Sequence, residues 1–212
     1  MPSRNIVREF EQGGYYHVYN RGVEKRIIFL DNDDYNVFLG LLKKYLSGDK
    51  KAANTNNRHK FPSLQDEVNL LAYCLMPNHV HLLLHELTGR GIERLMRRVM
   101  TGYVMYFNNR YRRVGSLFQG PYKASRITSD AYLYHISRYI HLNPEGYQVW
   151  PYSSYKYYAN ANAPQWLNVK IILELFDNTD AYRTFVSDYV NNHEELQLLR
   201  WQLANDISRE EM

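Results

Sequence analysis

Val68-Asn69-Leu70-Leu71-Ala72-Tyr73-Cys74-Leu75-Met76, then Pro77-Asn78, then His79-Val80-His81-Leu82-Leu83-Leu84 is the stretch on which the fold turns. Both runs are apolar and of strand length, and Pro-Asn between them is strong turn chemistry, so the pattern predicts a β-hairpin. Side chains of a strand alternate faces. His79 and His81 therefore share one side, about 6 to 7 Å apart along it, while Val80, Leu82 and Leu84 point the other way. Two imidazoles at that separation can share a metal ion; the same spacing also suits two half-buried, hydrogen-bonded core histidines. His85 faces the same side but lies about 13 Å or more from His81, too far to ligate with the pair. His17 could line the site if its strand neighbours the histidine strand, and a structural role suits it equally.

Outward from the hairpin, Tyr15 to Asn20 alternates as a strand, and Asp31-Asn32-Asp33 supplies acidic and amide caps for a helix. Val37, Phe38, Leu41, Leu42 and Tyr45 carry that helix at 3.6-residue spacing as far as Gly48. Residues 48–66, rich in Asn, Lys and Gly, read as an exposed loop. Residues 91–113 place Ile92, Leu95, Met96, Val99, Tyr103, Tyr106 and Phe107 on one stripe and Arg90, Arg94, Arg97 and Arg98 on the opposite one, an amphipathic helix with a basic face. Tyr122 to Ile127 is a short strand, and Thr128-Ser129-Asp130 caps a further helix running to near Pro144. The order strand, helix, hairpin, helix, strand, helix implies an antiparallel sheet backed by helices, an α+β class. Ala159 to Pro164 has linker composition. From Asn168 onward Ile171, Ile172, Leu175, Phe176, Phe185, Tyr189, Leu196 and Leu199 are spaced as in a helical extension. The expected organisation is one domain over residues 1–160 and a helical C-terminal extension over 161–212.

Length and composition bound the function. With 212 residues the chain can bury a sizeable core. No apolar run approaches the roughly 20 residues of a membrane span, and Met1-Pro2-Ser3-Arg4-Asn5 leads into no signal region, so a soluble, cytoplasmic protein with no membrane partner is expected. Cys74, the single cysteine, excludes an internal disulfide and a cysteine-based zinc knuckle, and its apolar strand predicts a buried, inert thiol. The formal charge is +4 at a pI near 9.0, with basic residues gathered in mid-chain, including Arg94, Arg97, Arg98, Lys123 and Arg126. Twenty tyrosines accompany them. Basic side chains with aromatic faces suit single-stranded nucleic acid, although most tyrosines in such a chain serve the core.

The helix from Ser129 to Asn143 carries Tyr132, His135, Tyr139 and Asn143 along one face, with Leu133, Ile136 and Ile140 as its packing stripe. Tyr139 and Asn143 are one turn apart, about 6 Å at Cβ, although a residue before proline is biased away from helical geometry. A tyrosine can attack a phosphodiester if a cation polarises the phosphate, because its phenol is otherwise protonated near neutrality. On spacing alone Tyr139 suits the core better than catalysis.

Met76-Pro77-Asn78-His79-Val80-His81-Leu82-Leu83 resembles the signature of the HUH single-tyrosine transposases, in which a hydrophobic residue separates two metal-binding histidines. In the family's order, His17-Val18-Tyr19-Asn20-Arg21-Gly22 resembles its first strand and Leu117-Phe118-Gln119-Gly120-Pro121-Tyr122 its mid-chain segment. Tyr139-Ile140-His141-Leu142-Asn143-Pro144 resembles its nucleophile helix, and Trp150-Pro151-Tyr152-Ser153-Ser154-Tyr155 its closing element. Residues 15–158 are covered, and the REP-associated and insertion-sequence branches are the most similar. The resemblance implies the ferredoxin-like HUH fold and cutting and rejoining of single-stranded DNA near hairpins through a covalent 5′-phosphotyrosine. It makes Tyr139 the nucleophile and His79, His81 and Asn143 the ligands of Mg2+ or Mn2+, whereas donor chemistry alone suits zinc or manganese. Arg21, Arg94, Arg97, Arg98, Lys123 and Arg126 are the candidate DNA contacts, and a homodimer and a monomer both stay open. Two readings compete with it: a domesticated hairpin-binding protein of the same fold that no longer cuts, and a metal hydrolase or histidine-rich structural domain, which leaves the basic helix unexplained.

Overall fold

The computed structural model describes residues 9–48, 62–160 and 162–189. Strands β1 (Tyr15–Arg21), β2 (Val68–Met76), β3 (His79–Glu86) and β4 (Lys123–Ile127) form one antiparallel sheet in the order β2-β3-β1-β4. Helix α1 (Asn32–Leu46) joins β1 to β2, and α2 (Gly91–Arg110) joins β3 to β4. This is the expected α+β, ferredoxin-like arrangement. Both helices cover the face to which Val18, Val80, Leu82 and Leu84 point, all of them 0% exposed. Helix α3 (Asp130–His141) lies against the opposite face, the one carrying the histidines.

Local chemistry explains the helix starts. The Asp31 carboxylate accepts from the Asp33 and Asp34 amides at 3.0 and 3.2 Å and caps α1. Asp34, wholly buried, ties α1 to α2 by accepting from the Leu30 amide and from the Tyr106 and Tyr111 hydroxyls at 2.8 to 3.0 Å. The buried Glu86 carboxylate accepts from the amides of Thr88, Gly89, Gly91 and Ile92 at 2.8 to 3.0 Å, so the last residue of β3 caps the first turn of α2. A side chain at Gly91 would run into Glu67 and Glu86, which is why glycine opens that helix.

The outer edge of β2 is covered by the chain that follows α3. Amides of Leu75, Ser154 and Asn168 pair with the carbonyls of Tyr152, Tyr73 and Leu70 at 2.8 to 3.0 Å, and the Tyr158 hydroxyl donates to Leu71 O at 2.7 Å. Three short helices follow: α4 (Tyr155–Asn160), α5 (Lys170–Leu173) and α6 (Thr179–Ser187). His141, 0% exposed, links α3 to this layer: Nδ1 meets Tyr182 Oη and Nε2 meets Ser154 Oγ, both at 2.7 Å. Tyr182 also meets Ser137 Oγ at 3.1 Å, and the Arg138 guanidinium lies between Phe185 and Tyr189, 4.1 and 3.6 Å from their ring centres.

Three expectations from the sequence change. Helix α3, expected to run to Asn143, ends at His141, because the residue before Pro144 resists helical geometry. The segment Ala159 to Pro164, read as a linker, begins within α4, and Asn168 beyond it pairs with Leu70 on the β2 edge. Helix α2 ends at Arg110, where Arg112 takes a positive φ of 50°. Cys74 is buried, as its strand implied. Of the exposed loop expected over residues 48–66, residues 49–61 lie outside the described residues, as do Leu196 and Leu199.

Burial pushes the His141 pKa from 6.5 down to about 3. The unfolded chain therefore takes up the proton first, so stability is complete above pH 6.5 and is lost as pH falls toward 3. Between pH 7 and 5 the wild type should lose about 2 kcal/mol more unfolding free energy than His141→Gln. Urea titrations at both pH values measure this, and equal losses would mean that His141 is protonated within the folded protein.

Candidate active site

The site begins at the tip of the β2–β3 hairpin. Pro77 O accepts from the amides of Ile28 and Phe29 at 2.8 and 3.1 Å, and Asn78 O accepts from Gly22 N at 2.9 Å, which fixes the two-residue turn against the chain leaving β1. The Asn78 amide is oriented as well. Its Nδ2 donates to Lys25 O at 3.1 Å, which turns Oδ1 toward His79 Nδ1 at 2.6 Å. An oxygen there requires the proton of His79 on Nδ1, so in the neutral ring Nε2 carries the lone pair.

That lone pair faces Asn143 Oδ1 at 3.0 Å. Two acceptors this close repel unless a positive charge lies against both, either a proton on Nε2 or a shared cation. His81, 6% exposed, stands beside them with its ring 4.9 Å from that of His79 and nearly perpendicular to it. Its Nδ1 contacts Nε2 of His17 at 2.8 Å, across the β1–β3 pair. His17 is 2% exposed, and burial pushes its pKa down to about 3, so this ring is neutral. Two imidazoles and one amide oxygen thus converge, a donor set that fits a divalent ion with coordination positions left over. Among the described residues no three His, Cys, Asp or Glu side chains form a metal cluster, and the oxygen beside His79 is the amide of Asn143.

Helix α3 presents Tyr139 to the same place. Its ring packs edge-on against His81 at 5.5 Å and His17 at 5.8 Å between centroids. One chain therefore brings the candidate nucleophile and all three candidate ligands together. His135, placed on the same helical face by the sequence, instead meets Arg138 at 2.7 Å and the Phe185 ring at 5.7 Å.

The predicted basic residues divide. Arg21 is paired in register with His79, and Lys123 with Tyr19, which is itself paired with His81; both cations are exposed on the histidine face. Arg94, Arg97 and Arg98 ride on α2, behind the sheet. Arg94 holds both Glu67 oxygens at 2.6 Å, Arg98 donates to Pro62 O at 2.7 Å, and Arg97 lies 4.0 Å from Glu93 at 68% side-chain exposure. Arg126 holds Glu11 in a bidentate pair at 2.5 Å. The sequence reading missed Tyr19, which stacks near His17 and His81 at 5.1 and 6.1 Å, and the orienting role of Asn78. Strand alternation two residues beyond His17 carried the signal for Tyr19.

Comparison with known proteins agrees with this fold and hairpin. The sequence matches the family described as IS200-like transposases over residues 43–143, a span that contains His79, His81, Tyr139 and Asn143. A solved REP-associated tyrosine transposase bound to a REP hairpin superposes with a TM-score of 0.54 at 16% identity, covering 79% of this chain and 94% of that one. A protein of Deinococcus radiodurans R1, described as a candidate transposase, is a more distant likeness: TM-score 0.38 and 16% identity over 66% of this chain and 95% of that one. No curated protein matches the chain. The segment 43–143 is thus similar to the IS200-like transposases, and the sheet with its helices has the fold of the REP-associated transposase.

Proposed function

We propose that this protein is a transposase that cuts and rejoins single-stranded DNA beside a hairpin through a covalent 5′-phosphotyrosine on Tyr139. The observation that carries this reading is the convergence of Tyr139 with His81, His79 and Asn143 on one sheet face. The Tyr139 oxygen attacks phosphorus, the bond to the 3′ oxygen breaks, and a 3′-hydroxyl leaves. The new link is also a phosphodiester, so its free energy is nearly conserved and a second 3′-hydroxyl can reverse the step without ATP. His79, His81 and Asn143 would hold Mg2+ or Mn2+, which when bound polarises the phosphate and offsets the charge growing on it. Asn78 keeps the His79 Nε2 lone pair directed at that position. Arg21 and Lys123 flank the histidines in register and would hold the scissile strand by its phosphates.

The partner is single-stranded DNA with a hairpin, a reading supported by the REP hairpin carried by the structurally similar transposase. In this reading residues 1–160 are the catalytic unit and residues 161–212 an extension, of which Tyr182, Phe185 and Tyr189 brace α3. No helix among the described residues is long and apolar enough to cross a membrane, and the cytoplasm is the proposed location.

Tyr139→Phe should abolish cleavage of a labelled hairpin oligonucleotide while leaving its binding within about threefold, a loss of under 1 kcal/mol by the affinity scale. Cleavage that persists in this variant sinks the assignment of the nucleophile. Excess chelator, or His79→Ala, should stop cutting, and undiminished cutting in chelator would make the histidines structural. The slope of log affinity against log salt should fall by about 0.7 for each strand phosphate released, hence by about 1.4 in Arg21→Ala/Lys123→Ala. A salt titration in which Arg97→Ala/Arg98→Ala flattens the slope instead would place the strand along α2.

A further inference from the structure

We infer that His17 is a positioning residue that sets the tautomer of His81, presenting the His81 Nε2 lone pair to the metal. The inference rests on the metal-site reading above. His17 Nε2 and His81 Nδ1 are 2.8 Å apart in a buried contact, and a hydrogen bond between two imidazole nitrogens at that distance holds one proton. Two assignments exist. If His17 Nε2 carries the proton, His81 accepts at Nδ1, its own proton sits on Nε2, and the ring cannot ligate through that atom. If His81 Nδ1 carries it, His81 Nε2 holds a lone pair, and the proton of His17 is on Nδ1.

The second arrangement is the one that ligation demands, and the structure provides for its consequence. His17 Nδ1 and Ser125 Oγ are both buried and make no hydrogen bond within the described residues. They are neighbours, because His17 and Ser125 are directly paired in the β1–β4 register and so project on one face. Directly opposed Cβ atoms lie about 4.5 to 5.5 Å apart, and a rotation about the Ser125 side chain brings its hydroxyl to the His17 Nδ1–H. The serine then accepts that proton, and a line of three residues on three strands, Ser125, His17 and His81, fixes where each proton sits. An orienting partner of this kind typically changes metal affinity by about 10- to 100-fold when removed.

The first measurement is on the metal-free wild-type chain. Nitrogen-15 NMR of the His81 ring should show the proton on Nδ1, and a proton on Nε2 overturns the inference without any variant. Calorimetric titration with Mn2+ alone provides the second. His17→Phe, which can accept no proton, should weaken Mn2+ binding by at least tenfold, while His17→Gln, which offers an amide oxygen to His81 Nδ1–H, should stay within about threefold of wild type. Equal affinity in both variants and the wild type would overturn the role of His17. His79→Ala separates the two levels: if it leaves Mn2+ affinity unchanged, the metal site itself is wrong, and if it abolishes binding while His17→Phe does not, only the role of His17 is wrong.

Discussion

The pairing register of β3 between β1 and β2 is the constraint on which the rest of the structure depends. Because side chains alternate with a period of two, a slip of one residue would turn His79 and His81 toward α2 and send Val80 and Leu82 to the face that meets α3. Two features hold the register. The wholly buried Val80, Leu82 and Leu84 specify which face meets α1 and α2, and the hydrogen bonds to Pro77 O and Asn78 O pin the turn. The same register lines up His79 with Arg21 and His81 with Tyr19, so the sheet that forms the core also assembles the donor set.

The opposite wall is set by a different device. Helix α3 carries Tyr139 over the sheet, and the C-terminal layer grips that helix through His141, Ser137 and Arg138. A buried polar network of this kind is costly if half satisfied and rigidifying if complete. Both ring nitrogens of His141 are paired, and Ser154 extends the network to the backbone of β2 through Tyr73. Tyr139 is thereby referred to the sheet by two routes, direct ring packing and the anchored helix. Asn143, just past the helix, is kept out of helical geometry by Pro144, and its amide meets His79 rather than continuing the helical stripe.

Local patterns in the sequence were sufficient for the hairpin, the caps at Asp31 and Ser129, the face shared by His79 and His81, and the packing stripe of α3. These features depend on periods of two and 3.6 residues and on neighbours within a turn. What depended on distant partners was not legible. The contact between His17 and His81 requires that β1 lie beside β3, which spacing left open, and the pairing of Arg94 with Glu67 and of Arg126 with Glu11 offsets the charge of two cations that composition alone counted as basic. The pairing of Tyr152, Ser154, Tyr158 and Asn168 with the β2 edge escaped for the same reason, since it joins residues far apart in the chain.

The central claim is that the tyrosine facing the two histidines forms the covalent bond to DNA. Its most direct test is to trap the wild-type protein on a hairpin oligonucleotide with a single-stranded flank in Mn2+, digest with nuclease and protease, and sequence the nucleotide-bearing peptide by mass spectrometry. The account predicts one modified residue, Tyr139, joined to a 5′-phosphate. A nucleotide on any other tyrosine, or a cleaved product with no protein-linked nucleotide at all, would contradict it.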